Sequence, residues 1–204
     1  MKNIFSVLIL FLLLHTFILP QTNWLAIPSG TNASLQAIHF SDLNTGFIVG
    51  DSGTILKTTD AGLSWQNVSY PNPVLLYDVY VFNQNIVVVV GSGGLILKSI
   101  DGGANWTVVQ SNVSEELYSV TFNGNFGICG GGSQSILYST DIGSTWSISQ
   151  TGFFGGSFQG AAMLSPQFGF VAGENSIFQP LFGKSTDAGI NWNFTSFYLN
   201  NNEG

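Results

Sequence analysis

The sequence predicts an all-β chain folded as a propeller of four-stranded antiparallel blades, and three observations predict it. One octapeptide occurs four times: Thr58-Thr-Asp60-Ala-Gly62-Leu-Ser-Trp65, Ser99-Ile-Asp101-Gly-Gly103-Ala-Asn-Trp106, Ser139-Thr-Asp141-Ile-Gly143-Ser-Thr-Trp146 and Ser185-Thr-Asp187-Ala-Gly189-Ile-Asn-Trp192. Its aspartates are spaced 41, 40 and 46 residues apart, the length of one propeller blade. Before each copy, short apolar runs alternate with period two and break at Gly, Asn and Asp, the pattern of antiparallel strands joined by hairpins. The composition agrees: 45% hydrophobic and 14% aromatic, but only 7% charged, where a typical globular chain carries about 25% charged residues. Such a chain covers its surface with Ser, Thr, Asn, Gln and Gly.

Each unit contributes its strands in a fixed order. The first is 35–40, 76–82, 117–122 and, more loosely, 158–164. An apolar second run follows and ends in glycine, at Gly50, Gly91, Gly130 and Gly173. The third strand is 54–57, 95–98, 135–138 and 182–184. The octapeptide then turns the chain into a fourth strand that opens on the tryptophan. The units so defined are 34–70, 71–112, 113–152 and 153–197.

The octapeptide has a local chemistry. Its aspartate can accept the backbone N–H groups of its own turn. Its glycine can take positive φ without a Cβ penalty. Its tryptophan can bury about 150–250 Å² of surface. Asp60, Gly62 and Trp65, with their equivalents Asp101, Gly103 and Trp106, Asp141, Gly143 and Trp146, and Asp187, Gly189 and Trp192, are therefore expected to lock hairpins. A catalytic pair needs two residues in unlike environments, whereas four identical aspartates suit a scaffold.

These copies resemble the Asp box, or BNR repeat, of sialidases, sortilin-type receptors, some glycoside hydrolases and the photosystem II assembly factor-like propellers. The wider template, Gly-x-Ile-Leu-Lys-[Ser/Thr]-x-Asp-x-Gly-x-x-Trp in the first two units, is most similar to the last family. The resemblance runs from Trp24 to about Trp192. It implies a propeller acting as an assembly chaperone for a photosynthetic membrane complex. The chain departs from the family in having no arginine, and so no basic docking patch.

Residues 1–20 read as a signal peptide or an uncleaved anchor: Lys2 is followed by an apolar stretch to Leu19, short for a membrane span. No other span is expected, and the chain is expected to be exported to the periplasm, cell surface or medium. Cys129 is the only cysteine, so no intrachain disulfide forms. Its strand position suits a small buried hydrophobe.

The net charge is −7, with four lysines as the only strong bases. Nucleic acid and anionic membrane surfaces are poor candidate partners because both need a basic patch, and no nucleic-acid partner is expected. Sialidase chemistry is excluded with the arginines that would grip a substrate carboxylate. No metal or cofactor site is expected, since the mature chain offers one His and one Cys. No catalytic residue is assigned, although Asp51 and Glu174 follow the glycines of units one and four, where paired carboxylates would serve a glycosidase. Lys57, Lys98 and Lys184 share one template position and are expected to cover the neighbouring tryptophan.

The expected function is a non-catalytic scaffold binding a protein or cell-surface partner. The alternative is a carbohydrate-active propeller, with Tyr70, Tyr77, Phe153 and Phe154 as stacking residues and Phe153–Phe154 as a candidate ligand loop. Strand bookkeeping leaves the 24–28 segment, which resembles a fourth strand, without a blade. The four units therefore predict an incomplete propeller, with a closed four-bladed ring or assembly between chains as alternatives.

Overall fold

The computed structural model describes residues 26–151 and 155–196. The signal-like segment, Trp24, and the Phe153–Phe154 loop lie outside the described residues. Residues 26–28 belong to no strand.

The described chain forms four antiparallel sheets of four strands each. The first blade is β1 (Leu35–Phe40), β2 (Gly46–Gly50), β3 (Ile55–Thr58) and β4 (Gln66–Asn67). The second is β5 (Leu76–Val81), β6 (Val87–Gly91), β7 (Ile96–Ser99) and β8 (Thr107–Val109). The third is β9 (Leu117–Asn123), β10 (Phe126–Gly131), β11 (Ile136–Ser139) and β12 (Ser147–Ile148). The fourth is β13 (Ser157–Met163), β14 (Gly169–Glu174), β15 (Pro180–Ser185) and β16 (Asn193–Ser196). β1 lies against β5, β5 against β9 and β9 against β13, so the first strands build an inner wall. The fourth strands form the rim, and their shortness limits edge-to-edge pairing. Among the described residues β13 has no comparable packing on β1. The propeller has four blades and is not closed.

Cores lie between blades rather than within them. The first joint packs Phe47, Val49 and Ile55 of blade one against Leu76, Val79, Val81, Val89 and Leu97 of blade two. The second packs Val88, Val90 and Ile96 against Leu117, Val120, Phe122, Cys129 and Leu137. The third packs Ile128 and Ile136 against Phe158, Val171 and Leu181. The second strands of blades one to three are covered on both faces, which is why Val87-Val-Val-Val90 shows no alternation; in β14 of blade four Phe170 and Ala172 reach solvent. Cys129 is wholly buried, and burial, then the Asp78 carboxylate, push its thiol well above the ordinary range, so it is an inert core residue.

Every first strand carries a β-bulge near its start, between Leu35 and Ala37, Leu76 and Asp78, Leu117 and Ser119, and Phe158 and Gly160. The bulge explains the glycine that ends each second strand. A Cβ at Gly50 would sit 2.0 Å from the Ser34 carbonyl oxygen, at Gly91 2.4 Å from that of Leu75, and at Gly173 1.9 Å from that of Ser157. In unit three the template position falls on Gly131, whose Cβ would lie 2.4 Å from the Glu116 carbonyl oxygen and which pairs with Leu117. The expected Gly130 is one residue early, opposite Ser119; Gly131 keeps the ten-residue spacing to the box aspartate that Gly50 and Gly91 have.

Candidate functional site

Antiparallel topology sends the β3–β4 and β1–β2 turns to one end of every blade, and the β2–β3 and β4–β1 links to the other. The four Asp boxes occupy the first end. In each box the opening hydroxyl is the hub: Ser99 Oγ donates to Asp101 Oδ1 at 2.9 Å and accepts the Gly103 N–H at 2.8 Å. Thr58, Ser139 and Ser185 repeat this pattern. The residue before the tryptophan closes the loop, as Asn105 donates its backbone N–H at 2.9 Å and its side-chain amide at 2.7 Å to Asp101. Both the Asp-x-Gly residues after the aspartate have positive φ, Ala61 at 62° and Gly62 at 84° in the first box.

These bonds hold the box carboxylates ionised. Asp60 is lowered to about 2, first by the Ser64 side chain. Asp101 is lowered chiefly by Asn105. In Asp141 and Asp187 partial burial acts upward and is outweighed by Thr145 and Asn191. Each carboxylate is saturated by its own turn, which suits a lock and leaves little for a substrate.

Two features of the boxes were not legible from the aspartates. The buried first-position hydroxyls, 0–2% exposed, are as central as the aspartate, and their signal is that this position is always Thr or Ser. Ser99→Ala strands the buried Gly103 N–H and is expected to lower the unfolding free energy by about 1–3 kcal/mol, read from urea midpoints; Ser99→Thr, the residue of box one, is expected to recover most of it. The tryptophans are also unequal. Trp146 and Trp192 are buried, whereas Trp65 and Trp106 are half-buried. Trp106 Nε1 donates across the joint to the Val68 carbonyl at 2.8 Å.

The lysines act differently from expectation. Lys57 Nζ donates to the Gly102 carbonyl at 3.0 Å, and Lys98 Nζ to the Ile142 carbonyl at 2.7 Å and Ser144 Oγ at 2.8 Å. Each lysine therefore staples its blade to the box of the next, because the third strand places its side chain toward that neighbour rather than over its own tryptophan. Inner strands are latched in the same direction. His39 Nδ1 accepts the Val81 N–H at 3.1 Å, Asp78 Oδ2 the Val120 N–H at 2.8 Å, and Ser119 Oγ the Ala161 N–H at 3.2 Å. Burial lowers the His39 pKa, which favours the neutral ring that this bond requires.

The other end carries the bulges and is where candidate binding residues converge. Tyr77 and Tyr118 occupy equivalent bulges of blades two and three, with ring centroids 5.1 Å apart at 72°, edge to face. Both rings are half-buried. Burial, then Tyr118, Glu116 and Asp51, push the Tyr77 phenol up, so two carboxylates act on Tyr77. Gln36, the bulge residue of blade one, donates to Asp51 Oδ1 at 3.2 Å. Gly132 lies beside this pair, where a Cβ would make ordinary contact with Tyr118 Oη at 3.7 Å. Asp51 belongs to this cluster, while Glu174 ends β14 in blade four, three blades away. Tyr118 was missed as a candidate, though its alignment with Tyr77 in the repeat was the available signal. The larger grooves lie on the rim, one of about 580 Å³ between β4 and the box of blade two and one of about 430 Å³ at the equivalent place one blade on. Their recurrence marks them as products of blade packing. Among the described residues no three His, Cys, Asp or Glu side chains converge as a metal site.

The sequence profile of the family described as photosynthesis system II assembly factor YCF48 matches residues 18–112 and 63–193. The chain belongs to this family. A search of curated proteins gave no match. Solved structures of the same fold include YCF48 from Cyanidioschyzon merolae, 20% identical with a TM-score of 0.64 over 85% of this chain and 59% of that one. YCF48 bound to D1 peptide is 19% identical, with a TM-score of 0.65 over 83% of this chain and 56% of that one. The GH74 enzyme of Niastella koreensis is 20% identical, with a TM-score of 0.64 over 83% of this chain and 30% of that one. This family member thus spans less than two thirds of the length of each. At these identities the likeness is one of fold, and the same blades serve both an assembly factor and a glycoside hydrolase.

Proposed function

We propose that this YCF48-family chain is an exported, non-catalytic binding propeller that captures a protein segment at its bulge end. The observation that carries this reading is the edge-to-face Tyr77–Tyr118 pair at the inner wall, with Asp51 and Glu116 acting on Tyr77. Rigid aromatics beside carboxylates favour a peptide that presents Lys or Arg, through ring stacking, cation–π attraction and charge pairing. Support for a peptide as ligand comes from the related propeller described as bound to D1 peptide. The chain's net charge of −7 favours a basic partner. The apolar N-terminal stretch supports export to the periplasm, cell surface or medium.

Binding of an array of Lys- and Arg-containing peptides is the test. Saturable binding should fall about 10–100-fold in Tyr77→Ala with Tyr118→Ala, with the far-ultraviolet spectrum unchanged. Binding that ignores both substitutions overturns the placement at this end. The second reading, a glycan binder, is favoured by the same combination of aromatics and carboxylates and by the GH74 likeness. A glycan array responding where peptides do not would establish it instead.

A further inference from the structure

Blade packing makes a rim groove at each of the first two joints, but the second groove holds a feature that the first lacks. Trp146 is 4% exposed and packs edge to face with Phe122, the ring centroids 5.6 Å apart. Its Nε1 has no hydrogen-bond acceptor, the one buried side-chain nitrogen or oxygen so left among the described residues. The equivalent atoms are satisfied, Trp106 Nε1 by the Val68 carbonyl at 2.8 Å and Trp192 Nε1 by the Gly189 carbonyl at 2.9 Å. Val109 follows Trp106 by three residues as Val68 follows Trp65, and it lines the same groove as Trp146. No bond joins it to the indole. A buried donor without an acceptor lowers stability, and native chains keep few of them, each calling for a reason.

Trp146 walls this groove of about 430 Å³ together with Thr107, Gln110, Asn112, Ser144 and Thr145. A second hollow of about 430 Å³ shares Thr107, Val109 and Ser144 with it and adds Lys98 and Asp101. Each has the size of a small-molecule site, roughly 300–1,000 Å³, and both lie between blades two and three, inside the array. The charged groups here are already matched. Lys98 Nζ donates to the Ile142 carbonyl and to Ser144 Oγ, and the Asp101 carboxylate accepts from Ser99 and Asn105. What the groove offers a ligand is hydroxyl and amide, exposed at Thr107, Gln110, Asn112 and Thr145, beside the half-exposed Val108 side chain.

We propose that the rim groove of the second joint binds a neutral saccharide, one of whose oxygens accepts the Trp146 indole N–H. Hydroxyls and amides both donate and accept, and they match a ligand whose hydroxyls do the same. The matched Lys98 and Asp101 leave no free charge to select an ion. Sugar C–H faces pack on Val108 and Val109. An extended peptide would instead have to pair along the edge of β8, which is only three residues long. Nε1 is closed to solvent in the ligand-free chain, so binding includes a shift of the exposed side chains at the groove's lip. The site lies apart from the Tyr77–Tyr118 pair and does not rest on the reading of that end.

Titration calorimetry of the full chain against neutral oligosaccharides of two to six units, prepared from cellulose, xylan, starch and chitin, tests the proposal. Saturable binding is expected within this panel, and silence across it overturns the saccharide. Trp146→Phe keeps an aromatic ring against Phe122 and removes the donor, and it should weaken binding about tenfold. Gln110→Ala with Thr107→Val changes two exposed side chains outside the box, so it tests the groove even where Trp146→Phe fails to fold, and it should weaken binding by a similar factor with an unchanged circular-dichroism spectrum. Oligosaccharide binding that ignores both changes overturns the placement. Tyr77→Ala with Tyr118→Ala should leave oligosaccharide binding as it is. Loss in that variant alone puts the sugar at the bulge end and overturns this groove as its site. Peptide binding should in turn persist in the Gln110 and Thr107 variant, which separates this outcome from that of the proposed function.

Discussion

Gly91→Ala is expected to lower the unfolding free energy by about 3 kcal/mol, the upper part of the range for overpacking a tight site. Nothing in its backbone angles demands glycine, since φ is −163° and any residue adopts extended backbone. The demand is one of space. The bulge brings the Leu75 carbonyl to within 2.4 Å of where a Cβ would stand, and the Leu76 Cα to 3.3 Å. Leu75 also accepts the Ser92 N–H at 2.9 Å, so its carbonyl cannot swing away without losing that bond. Gly160→Ala is the control, because its Cβ would meet nothing nearer than the Ala172 oxygen at 3.9 Å. Chemical denaturation of the two variants compares them directly. Equal midpoints would show that the bulge yields and that the glycine is not required by this contact.

Asp78→Leu is expected to cost about 2 kcal/mol at neutral pH, in the range for hydrogen bonds to a charged group. The Asp78 carboxylate bridges blades two and three, accepting the Val79 N–H and the Val120 N–H at 2.8 Å each. Leucine leaves the Val120 N–H of the inner strand without that acceptor. The pH dependence has a definite sign. Burial raises the Asp78 carboxyl above its ordinary 3.8, against the downward pull of Val120 and Val79. A carboxyl raised on folding contributes its stability below the unfolded value and loses it as pH rises through the folded one. Asp78→Asn, which keeps one acceptor and cannot ionise, should therefore fall further behind the parent as pH drops from 7 toward 4. The box aspartates act in the opposite direction. Asp60, held at about 2, contributes stability above 3.8 that is lost as pH falls toward 2. Urea midpoints at pH 7, 4 and 2.5 resolve the two effects, and curves for parent and Asp78→Asn that stay parallel from 7 to 4 would show that folding does not raise the Asp78 carboxyl.

Much of the blade was legible because its determinants are local. Four octapeptides about 40 residues apart, each behind alternating apolar runs, specify hairpins through turn chemistry and pleat. Both act within a few residues of where they are written. The third-unit glycine was misplaced at Gly130 although the spacing identified Gly131, which lies ten residues before Asp141 as Gly50 does before Asp60 and Gly91 before Asp101, and which pairs with Leu117 across the ladder. The lysines were misread for a different reason. Lys57 lies near Trp65 in sequence, yet its carbonyl partner Gly102 lies 45 residues on, in another blade.

The binding end was the least legible part. Asp51 and Glu174 looked alike in the template, but of the two only Asp51 acts on Tyr77. Tyr77 and Tyr118 become a pair through the stacking of blades, which brings positions 41 residues apart to 5.1 Å. By itself the sequence determined the repeat, its strands, its hairpin locks and the family to which the chain is similar, since these follow from short-range periodicity and from residues that satisfy their own turns. Only the tertiary structure decided which apolar faces are covered, which carbonyls the Lys57 and Lys98 side chains reach and which aromatics meet at the inner wall. Those are properties of one blade set against another, and no short stretch of sequence carries them.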